Sequence, residues 1–315
     1  MRVIDAPHIN ATLTFDTLIP ALRHAFESEF GMPQRSLFHL PNGTDQADSF
    51  ALLPAWNDAV IGVKAFTHFP NNAAFGHDIL ASKVLLFSRD TGAPLAVVDG
   101  TELTLWRTAA TSALAADYLA RAHCRSLLLF GTGRLAPFMA RAHAAVRPSI
   151  EVIYVAGRSE DKTAKTVADI KAHLPHCDVI SIENPAQIVP EVDLISCATG
   201  SPTPLFSYAD IRAGVHIDLV GNHHRDRREC DSATVATAQV FVDSRLNVLN
   251  EAGELLIPLQ EGEITEAHVL GELADLCRGK IEGRTEHNDI TLFKSVGSAL
   301  SDLAAAHLVY QASTA

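Results

Sequence analysis

Several features that define particular protein classes are missing from this sequence of 315 residues. Its five cysteines form no Cys-x-x-Cys pair, and its 15 histidines include no His-Glu-x-x-His pattern, so neither a disulfide framework nor a metal site is predicted. No segment reaches the ~18 consecutive apolar residues of a membrane span, and Met1–Asp5 lacks the apolar run of a signal peptide. We therefore expect a cytoplasmic protein with reduced thiols, no metal and no membrane partner.

Positive charge is also scarce. The chain carries 25 lysines and arginines against 37 acidic residues, which gives a formal net charge of −12. This balance argues against nucleic acid and against an anionic membrane surface as partners. Hydrophobic residues make up 47% of a chain too long for one ordinary core, so we expect two domains.

A glycine-rich turn near the middle of the chain is the strongest motif. Leu127–Phe130 is a short apolar run typical of a strand buried on both faces, and a G-x-G-x-x-A pattern follows it directly. Gly131 suits the tight turn, and Gly133 leaves room for a pyrophosphate to approach the backbone. Pro137 then falls in the first turn of a predicted helix, whose free N–H groups form an anion site. The pattern predicts a dinucleotide site, although such turns can also be purely structural.

The residues before this motif indicate an α+β unit with an antiparallel sheet. Apolar residues at helical spacing predict a helix over Thr17–Phe30 that ends at Gly31. Alternating patterns and a turn signal at Asp90–Gly92 predict strands over Ser49–Pro54, Val60–His68, Val84–Phe87 and Leu95–Val98.

The residues around and after the motif alternate between helices and strands. Long helices are predicted over Thr101–Ala122 and Asp161–His173, and strands over Val152–Ala156, Leu194–Ala198, His216–Val220 and Val240–Asp243. This alternation predicts an α/β fold with a Rossmann-type doubly wound parallel sheet. Thr285–Gln311 is predicted to form a short strand and an alanine-rich helix that return to the first domain.

The end of the second predicted strand of this sheet bears on the choice of cofactor. An NAD enzyme places an acidic residue there to bind the ribose 2′-hydroxyl. Tyr154–Ser159 contains no acid but contains Arg158, just before a predicted helix whose dipole disfavours a cation. A 2′-phosphate would explain this arginine, so NADP(H) is favoured, with NAD(H) as the alternative. The other interpretation of Arg158 is a solvated surface residue.

Several short motifs, in order along nearly the whole chain, resemble the hallmarks of a known family. The sequence is similar to the ornithine cyclodeaminase/μ-crystallin family at Gly62–Lys64, Arg107–Ala110, Gly131–Ala136, Thr199–Gly200, Val220–Gly221, Glu229–Asp231, Glu251–Glu254 and Leu292–Gly297. The resemblance implies a dinucleotide-binding Rossmann domain over residues 116–289. It also implies an α+β substrate and dimerisation domain built from both chain ends, 1–115 and 290–315, and hence a homodimer.

The resemblance also implies a substrate site. Arg35, Lys64 and Arg107 would face the substrate, with Val296 beside it. Guanidinium groups bind carboxylates through two parallel hydrogen bonds, and a lysine adds a second positive charge. Without the resemblance, Lys64 would more often be an exposed strand lysine and Arg35 a loop charge.

A cofactor site is implied in the same way. Arg107 would reach the cofactor as well as the substrate, and Thr199 and Ser295 would contact the nicotinamide or its ribose, unless they are plain turn or cap hydroxyls. The implied cofactor-binding residues are Arg107, Gly131, Gly133, Arg134, Leu135, Arg158, Ser159, Thr199, Val220 and Ser295.

One departure from the family pattern favours a particular activity. Members that deaminate ornithine carry a catalytic aspartate two residues after the Val-Gly pair, whereas here Val220-Gly221 is followed by Asn222 and His223. Without this carboxylate, activation of an amine and loss of ammonia are disfavoured. Reduction of a C=N bond needs only a bound carboxylate, a hydride and a proton. An imidazole near its usual pKa of ~6.5 can supply that proton.

We therefore predict an NAD(P)H-dependent reductase of a small cyclic α-imino acid, of the Δ1-pyrroline-2-carboxylate or Δ1-piperideine-2-carboxylate type. The predicted catalytic residues are His223, Lys64 and Arg107, although His223 could instead only line the pocket. The alternatives are an ornithine cyclodeaminase, which converts L-ornithine to L-proline and ammonia, and an alanine-dehydrogenase-like enzyme. A cofactor-dependent ligand binder without catalysis is a further alternative.

Overall fold

A computed structural model describes residues 1–43 and 48–314, and the chain divides into two compact units. Unit 1 combines Met1–Arg107 with Ser298–Ala315, and unit 2 is Thr108–Gly297. The predicted boundaries lie near these but place residues 108–115 in the domain of the chain ends, and they do the same for residues 290–297. Those residues lie in unit 2 because Thr291–Lys294 forms a strand of its sheet. Across the described residues, none of the helices combines the length and the apolar character that crossing a bilayer requires.

Unit 1 is built on a six-stranded sheet with the order β1-β6-β5-β4-β3-β2. Its strands are β1 (Arg2–Ile4), β2 (Ser36–Leu40), β3 (Asp48–Trp56), β4 (Val60–His68), β5 (Leu80–Ser88) and β6 (Pro94–Asp99). The pairs from β2 to β6 are antiparallel, but β1 runs parallel to β6. The predicted antiparallel sheet is therefore mixed, because a strand from the start of the chain joins its edge without any hairpin signal.

The first segment of unit 1 contains the starts of α1 (Ala6–Thr12), α2 (Phe15–Glu27) and α3 (Gly100–Leu119). Thr14 caps α2 by accepting a hydrogen bond from the backbone N–H of Thr17 at 3.3 Å. The helix ends at Glu27, three residues before the predicted end, because Ser28 has an extended backbone and its hydroxyl donates to the carbonyl oxygen of His24. Helix α3 starts within one residue of its predicted start and ends at Leu119 instead of Ala122.

Unit 2 contains an eight-stranded parallel sheet with the order β13-β12-β14-β11-β10-β7-β8-β9. Its strands are β7 (Ser126–Phe130), β8 (Val152–Ala156), β9 (Asp178–Ile182), β10 (Leu194–Cys197), β11 (His216–Leu219), β12 (Gln239–Val242), β13 (Val269–Glu272) and β14 (Thr291–Lys294). This confirms the doubly wound Rossmann-type fold. The strand order reverses between β7 and β10, which is where such sheets bind their ligands.

The helices of unit 2 are α4 (Ala136–Val146), α5 (Glu160–His173), α6 (Ser232–Thr237), α7 (Arg245–Glu251), α8 (Gly253–Glu261) and α9 (Leu273–Cys277). Pro137 lies in the first turn of α4, as predicted. After β14 the chain returns to unit 1 as α10 (Ala299–Ala312), which packs on α2 and on β3, β4 and β5. The core of unit 2 includes buried side chains from β7, β10 and β11, such as Leu128, Ile195 and Ile217.

Candidate active site

The glycine-rich turn lies directly after β7, at the reversal of strand order. Gly131 has a backbone φ of 122°, and a Cβ there would lie 2.6 Å from the carbonyl oxygen of Ala198, so only glycine fits. A Cβ on Gly133 would instead meet no atom within 4 Å. Helix α4 begins three residues later and presents its first N–H groups at this end of the sheet. The turn therefore leaves open space beside a helix terminus that favours an anion.

The two glycines should respond differently to substitution. Gly133→Val should leave the free energy of unfolding within about 0.5 kcal/mol of the parent value, since an added Cβ meets no atom within 4 Å. It should nevertheless weaken NADH and NADPH binding at least 10-fold, because the side chain occupies the space proposed for the pyrophosphate. Gly131→Ala should weaken cofactor binding and also lower the free energy of unfolding, because the added Cβ collides with the carbonyl oxygen of Ala198. Denaturant unfolding and fluorescence titration measure the two effects, and unchanged affinity in Gly133→Val would remove this turn from the cofactor site.

Arg158 and Ser159 lie at the end of the neighbouring strand β8. The Ser159 hydroxyl caps α5 by accepting a hydrogen bond from the Lys162 backbone N–H at 3.5 Å. Arg158 is exposed, and in the part of the chain that the structure describes no group pairs with its guanidinium. Gly157 brings β8 close to the glycine-rich turn, because a Cβ there would lie 2.5 Å from the side chain of Thr132. An exposed arginine thus directly follows the residue that approaches the glycine-rich turn.

Thr199 follows β10, and both of its donors bind Glu229, a buried acid that belongs to the Glu229–Asp231 motif but was not predicted as a site residue. Glu229 Oε1 accepts hydrogen bonds from the Thr199 backbone N–H at 2.8 Å and from its hydroxyl at 2.7 Å. Glu229 Oε2 accepts one from the Gly221 backbone N–H at 3.1 Å, in the turn that follows β11 and Val220. Burial raises the pKa of Glu229 to about 8, with Lys294 opposing the rise and Glu254 adding to it.

His223 lies in the same turn after β11, next to a buried anchor. Lys294 Nζ donates to the carbonyl oxygen of Asn222 at 2.6 Å and lies 3.1 Å from Glu254 Oε2. These three side chains are fully buried. The His223 ring is exposed and stacks on His224 with centroids 5.0 Å apart. The turn therefore presents an imidazole from a backbone held by a buried lysine.

Ser295 and Val296 follow β14 in a turn organised by Asp243. Asp243 Oδ2 accepts hydrogen bonds from the Ser295 hydroxyl at 2.8 Å and from the backbone N–H groups of Val296 at 3.1 Å and Gly297 at 2.8 Å. The Ser295 hydroxyl hydrogen is therefore used within the protein. A contact from Ser295 to the cofactor, which stays a prediction, would use its oxygen as acceptor.

The predicted residues of unit 2 share one edge of the sheet. They follow the carboxyl ends of five adjacent parallel strands, β8, β7, β10, β11 and β14. Because parallel strands end on the same side, the fold brings together residues that are up to about 160 positions apart in the sequence. The grouped residues are Gly131, Gly133, Arg134, Leu135, Arg158, Ser159, Thr199, Val220, His223, Ser295 and Val296.

The predicted residues of unit 1 form a second group around a buried carboxylate. Lys64 Nζ lies 3.0 Å from Asp302 Oδ1, and Arg107 Nε donates to the same oxygen at 2.9 Å. Lys64 also donates to the hydroxyl of Thr104. With 4% of its side chain exposed, Lys64 is not the exposed strand lysine considered as an alternative. Burial lowers its pKa to about 8; Asp302 opposes this, and the charges of Arg107 and Arg35 add to it.

Asp302 is a residue that the sequence analysis missed. It lies on α10, which carries no other acidic residue and no lysine or arginine, and it is 1% exposed. A single acid in an otherwise uncharged and buried helix indicates a buried cationic partner. That signal was present in the sequence, but it does not identify the partners, since Lys64 and Arg107 lie far away along the chain.

A parallel doubly wound sheet with a glycine-rich turn at its switch point, and polar side chains gathered at the same edge, defines an NAD(P)-dependent oxidoreductase. Residues 3–315 match the ornithine cyclodeaminase/mu-crystallin family. The chain belongs to this family, as its motifs had indicated.

Several proteins that resemble this chain carry the names of imine reductases. The chain is 48% identical over 314 residues to a Delta(1)-pyrroline-2-carboxylate reductase of Colwellia psychrerythraea, with 99% of each sequence covered. Its fold matches that of the Thermococcus litoralis Delta(1)-pyrroline-2-carboxylate reductase in complex with NADH and L-proline, with a TM-score of 0.93, 30% identity and 100% and 98% of the two chains covered. The iminosuccinate reductase of Paracoccus denitrificans in complex with NAD+ matches with a TM-score of 0.90, 28% identity and 100% and 96% coverage.

Proposed function

We propose that this protein is an NAD(P)H-dependent reductase of a small cyclic α-imino acid, of the Δ1-pyrroline-2-carboxylate or Δ1-piperideine-2-carboxylate type. The observation that carries the proposal is the buried group of unit 1. Lys64 and Arg107 meet at one carboxylate, that of Asp302, and both cationic side chains are buried. A carboxylate placed against two neighbouring cationic side chains gains charge-assisted hydrogen bonds, so the carboxylate of an imino acid is a suitable ligand for this group.

The reaction that fits these residues is addition of a hydride to the imine carbon and of a proton to the imine nitrogen. The reduced dinucleotide, bound at the glycine-rich turn, supplies the hydride. Arg107 and Lys64 hold the substrate carboxylate, and Arg107 also reaches the cofactor. Arg35 adds positive charge, and Val296 contributes an apolar contact. His223 donates the proton to nitrogen. The product is a saturated cyclic amino acid, and relatives named Delta(1)-pyrroline-2-carboxylate reductase support this direction.

Measuring cofactor consumption against a panel of substrates tests this function. NADPH and NADH would each be mixed with Δ1-pyrroline-2-carboxylate, with Δ1-piperideine-2-carboxylate and with pyruvate plus ammonia, and L-ornithine with NAD+ would serve as the deaminase control. We expect turnover of at least one cyclic imine and none of ornithine. Ornithine turnover without imine reduction would make the protein a cyclodeaminase, and alanine formation alone would make it an alanine-dehydrogenase-like enzyme. Binding without turnover of any of these would indicate a ligand binder.

We further propose NADP(H) as the preferred cofactor, with Arg158 binding the 2′-phosphate. An exposed guanidinium beside the glycine-rich turn supports this preference. Arg158→Ala should then weaken NADPH binding by about 10- to 100-fold, the loss of one charge-assisted pair of about 1.5–3 kcal/mol, and leave NADH binding nearly unchanged. Fluorescence titration of both cofactors makes the comparison, and the matched control is Arg125→Ala, an exposed arginine that directly precedes β7 at the opposite end of the strands. Equal losses for both cofactors in Arg158→Ala would disprove a contact with the 2′-phosphate.

We propose a homodimer formed through the sheet of unit 1. The edge strand β2 is exposed at every position and carries Leu37, Phe38 and Leu40 with 40% to 50% of each side chain exposed. Exposed apolar edge strands tend to be covered by a partner, and a two-fold dimer is the commonest solution. Light scattering should give twice the chain mass of 33.9 kDa. Phe38→Lys should shift the protein towards the monomer, and a monomer at every concentration of the parent protein would contradict the proposal.

We also propose a reducing compartment such as the cytoplasm. All five cysteines are free and buried, as expected where thiols stay reduced.

A further inference from the structure

The second unit contains a buried charge cluster whose role the proposed reaction does not explain. It consists of Glu229, Glu254 and Lys294, each fully buried. We propose that this buried charge cluster is a positioning device that fixes the turns after β10 and β11, and through them the orientation of Thr199 and His223 towards the nicotinamide and the imine. This inference rests on the proposed reductase function.

Glu229 joins the two turns directly. One of its carboxylate oxygens accepts both donors of Thr199, and the other accepts the backbone N–H of Gly221. The turns are also packed without space between them, because a Cβ on Gly221 would lie 2.0 Å from the Thr199 backbone nitrogen. A movement of either turn would therefore break hydrogen bonds to the same carboxylate.

Lys294 holds the residue that precedes His223. Its ammonium donates to the Asn222 carbonyl oxygen at 2.6 Å and is held by Glu254 at 3.1 Å. The Asn222 side chain then accepts a hydrogen bond from the His224 backbone N–H at 3.1 Å. The backbone is thus held on both sides of His223. The buried ammonium of Lys294 holds it on the side of Asn222.

The cost of the buried charge cluster argues for a role beyond stability. Removing charges from water is costly, and buried ion pairs can often be replaced by apolar residues without loss of stability. Two acids face one lysine here, and burial together with Glu254 raises the pKa of Glu229 to about 8 despite Lys294. Apolar side chains could fill this space, but they could not bind the backbone groups of Thr199, Gly221 and Asn222. Those contacts are what the charges provide.

The first test replaces the ion pair by neutral side chains of similar shape. The double variant Lys294→Met with Glu254→Gln removes both charges of the pair together. Neither position is left with an unpaired buried charge, so we expect the variant to fold. The Asn222 carbonyl loses its donor, and kcat for the cyclic imine should fall at least 10-fold. The Kd for the dinucleotide should stay within about 2-fold of the parent value, because the glycine-rich turn is unchanged.

The second test uses Glu229→Gln. Glutamine keeps the shape of the side chain, but an NH2 group, which donates hydrogen bonds, replaces one carboxylate oxygen, which accepts them. It should lower kcat without a matching change in cofactor Kd. The matched control is Asp193→Asn at the opposite end of the strands. Asp193 is also a buried carboxylate that accepts backbone N–H groups, from Arg125 at 2.7 Å and Ser126 at 3.2 Å, and it pairs with Arg121. This control should lose stability but keep kcat.

Amide hydrogen exchange separates this inference from the proposed function. Peptides covering residues 198–203 and 219–226 should exchange faster in Glu229→Gln and in the double variant, whether or not the parent protein reduces imines. If the parent protein reduced no imine, the reductase function would be refuted. Faster exchange in the two variants would still support the positioning role. Parent-level kcat in both variants, or unchanged exchange in these peptides, would overturn the inference.

Discussion

Replacing Arg107 by lysine should lower kcat/KM for the cyclic imino acid by about 10- to 100-fold, because a charge-assisted hydrogen-bond pair of about 1.5–3 kcal/mol is lost. The guanidinium of Arg107 is oriented by its Nε, which donates to Asp302 at 2.9 Å. Lysine keeps the charge but cannot reproduce two parallel hydrogen bonds from a fixed plane. We expect partial retention of cofactor binding.

Steady-state kinetics with the imino acid and fluorescence titration of the cofactor measure the two consequences. Arg89→Lys is the matched control, since Arg89 is an exposed arginine of the same unit. The control should leave both quantities unchanged. Turnover near the parent level in Arg107→Lys would remove Arg107 from the substrate site and weaken the case for a bound carboxylate.

The second large effect is expected at His223. If its imidazole donates the proton to the imine nitrogen, His223→Asn should lower kcat/KM by roughly 100-fold, which lies in the usual range for loss of a general acid. The reason is that asparagine preserves a polar side chain but cannot release a proton. His224→Asn is the matched control, because His224 is the stacked neighbour in the same turn. That variant should retain most of the activity.

The pH dependence separates His223 from other groups. A general acid must be protonated, so its contribution to kcat/KM falls as pH rises through about 6–8, the usual range for an imidazole acting in this role. Lys64, with its pKa lowered to about 8, loses its positive charge above that pH and adds a further fall in both the parent and the variant. Protonation of the imine itself is also common to both. The difference between the two profiles therefore isolates His223.

An unchanged rate and an unchanged pH profile in His223→Asn would mean that His223 only lines the pocket. Water or an already protonated iminium would then supply the proton. The reductase assignment would remain, because substrate reduction does not depend on which group supplies the proton. His223→Asp adds a complementary test, since it restores the aspartate of the cyclodeaminase pattern. Any gain of ornithine turnover in that variant would identify this position as the one that separates the two activities.

Local patterns in the sequence determined much of unit 2. The strand at Val152–Ala156, the turn at Gly131 and the start of α4 before Pro137 were all predictable, because backbone conformation and apolar periodicity depend on nearby residues. The parallel doubly wound sheet followed from the alternation of these elements. The motifs placed the chain in its family, and the missing aspartate at His223 favoured reduction over deamination.

Only the tertiary structure decided which distant residues meet. β14 is inserted between β11 and β12 although nearly 50 residues separate it from β12 in the sequence, and β1 joins the sheet of unit 1 in a parallel orientation. Asp302 pairs with Lys64 across 238 positions and with Arg107 across 195. Strand register and packing select such pairs, and no local periodicity encodes them. For that reason, the sequence identified Lys64 and Arg107 but neither Asp302 nor the pairing of charges within the two buried groups.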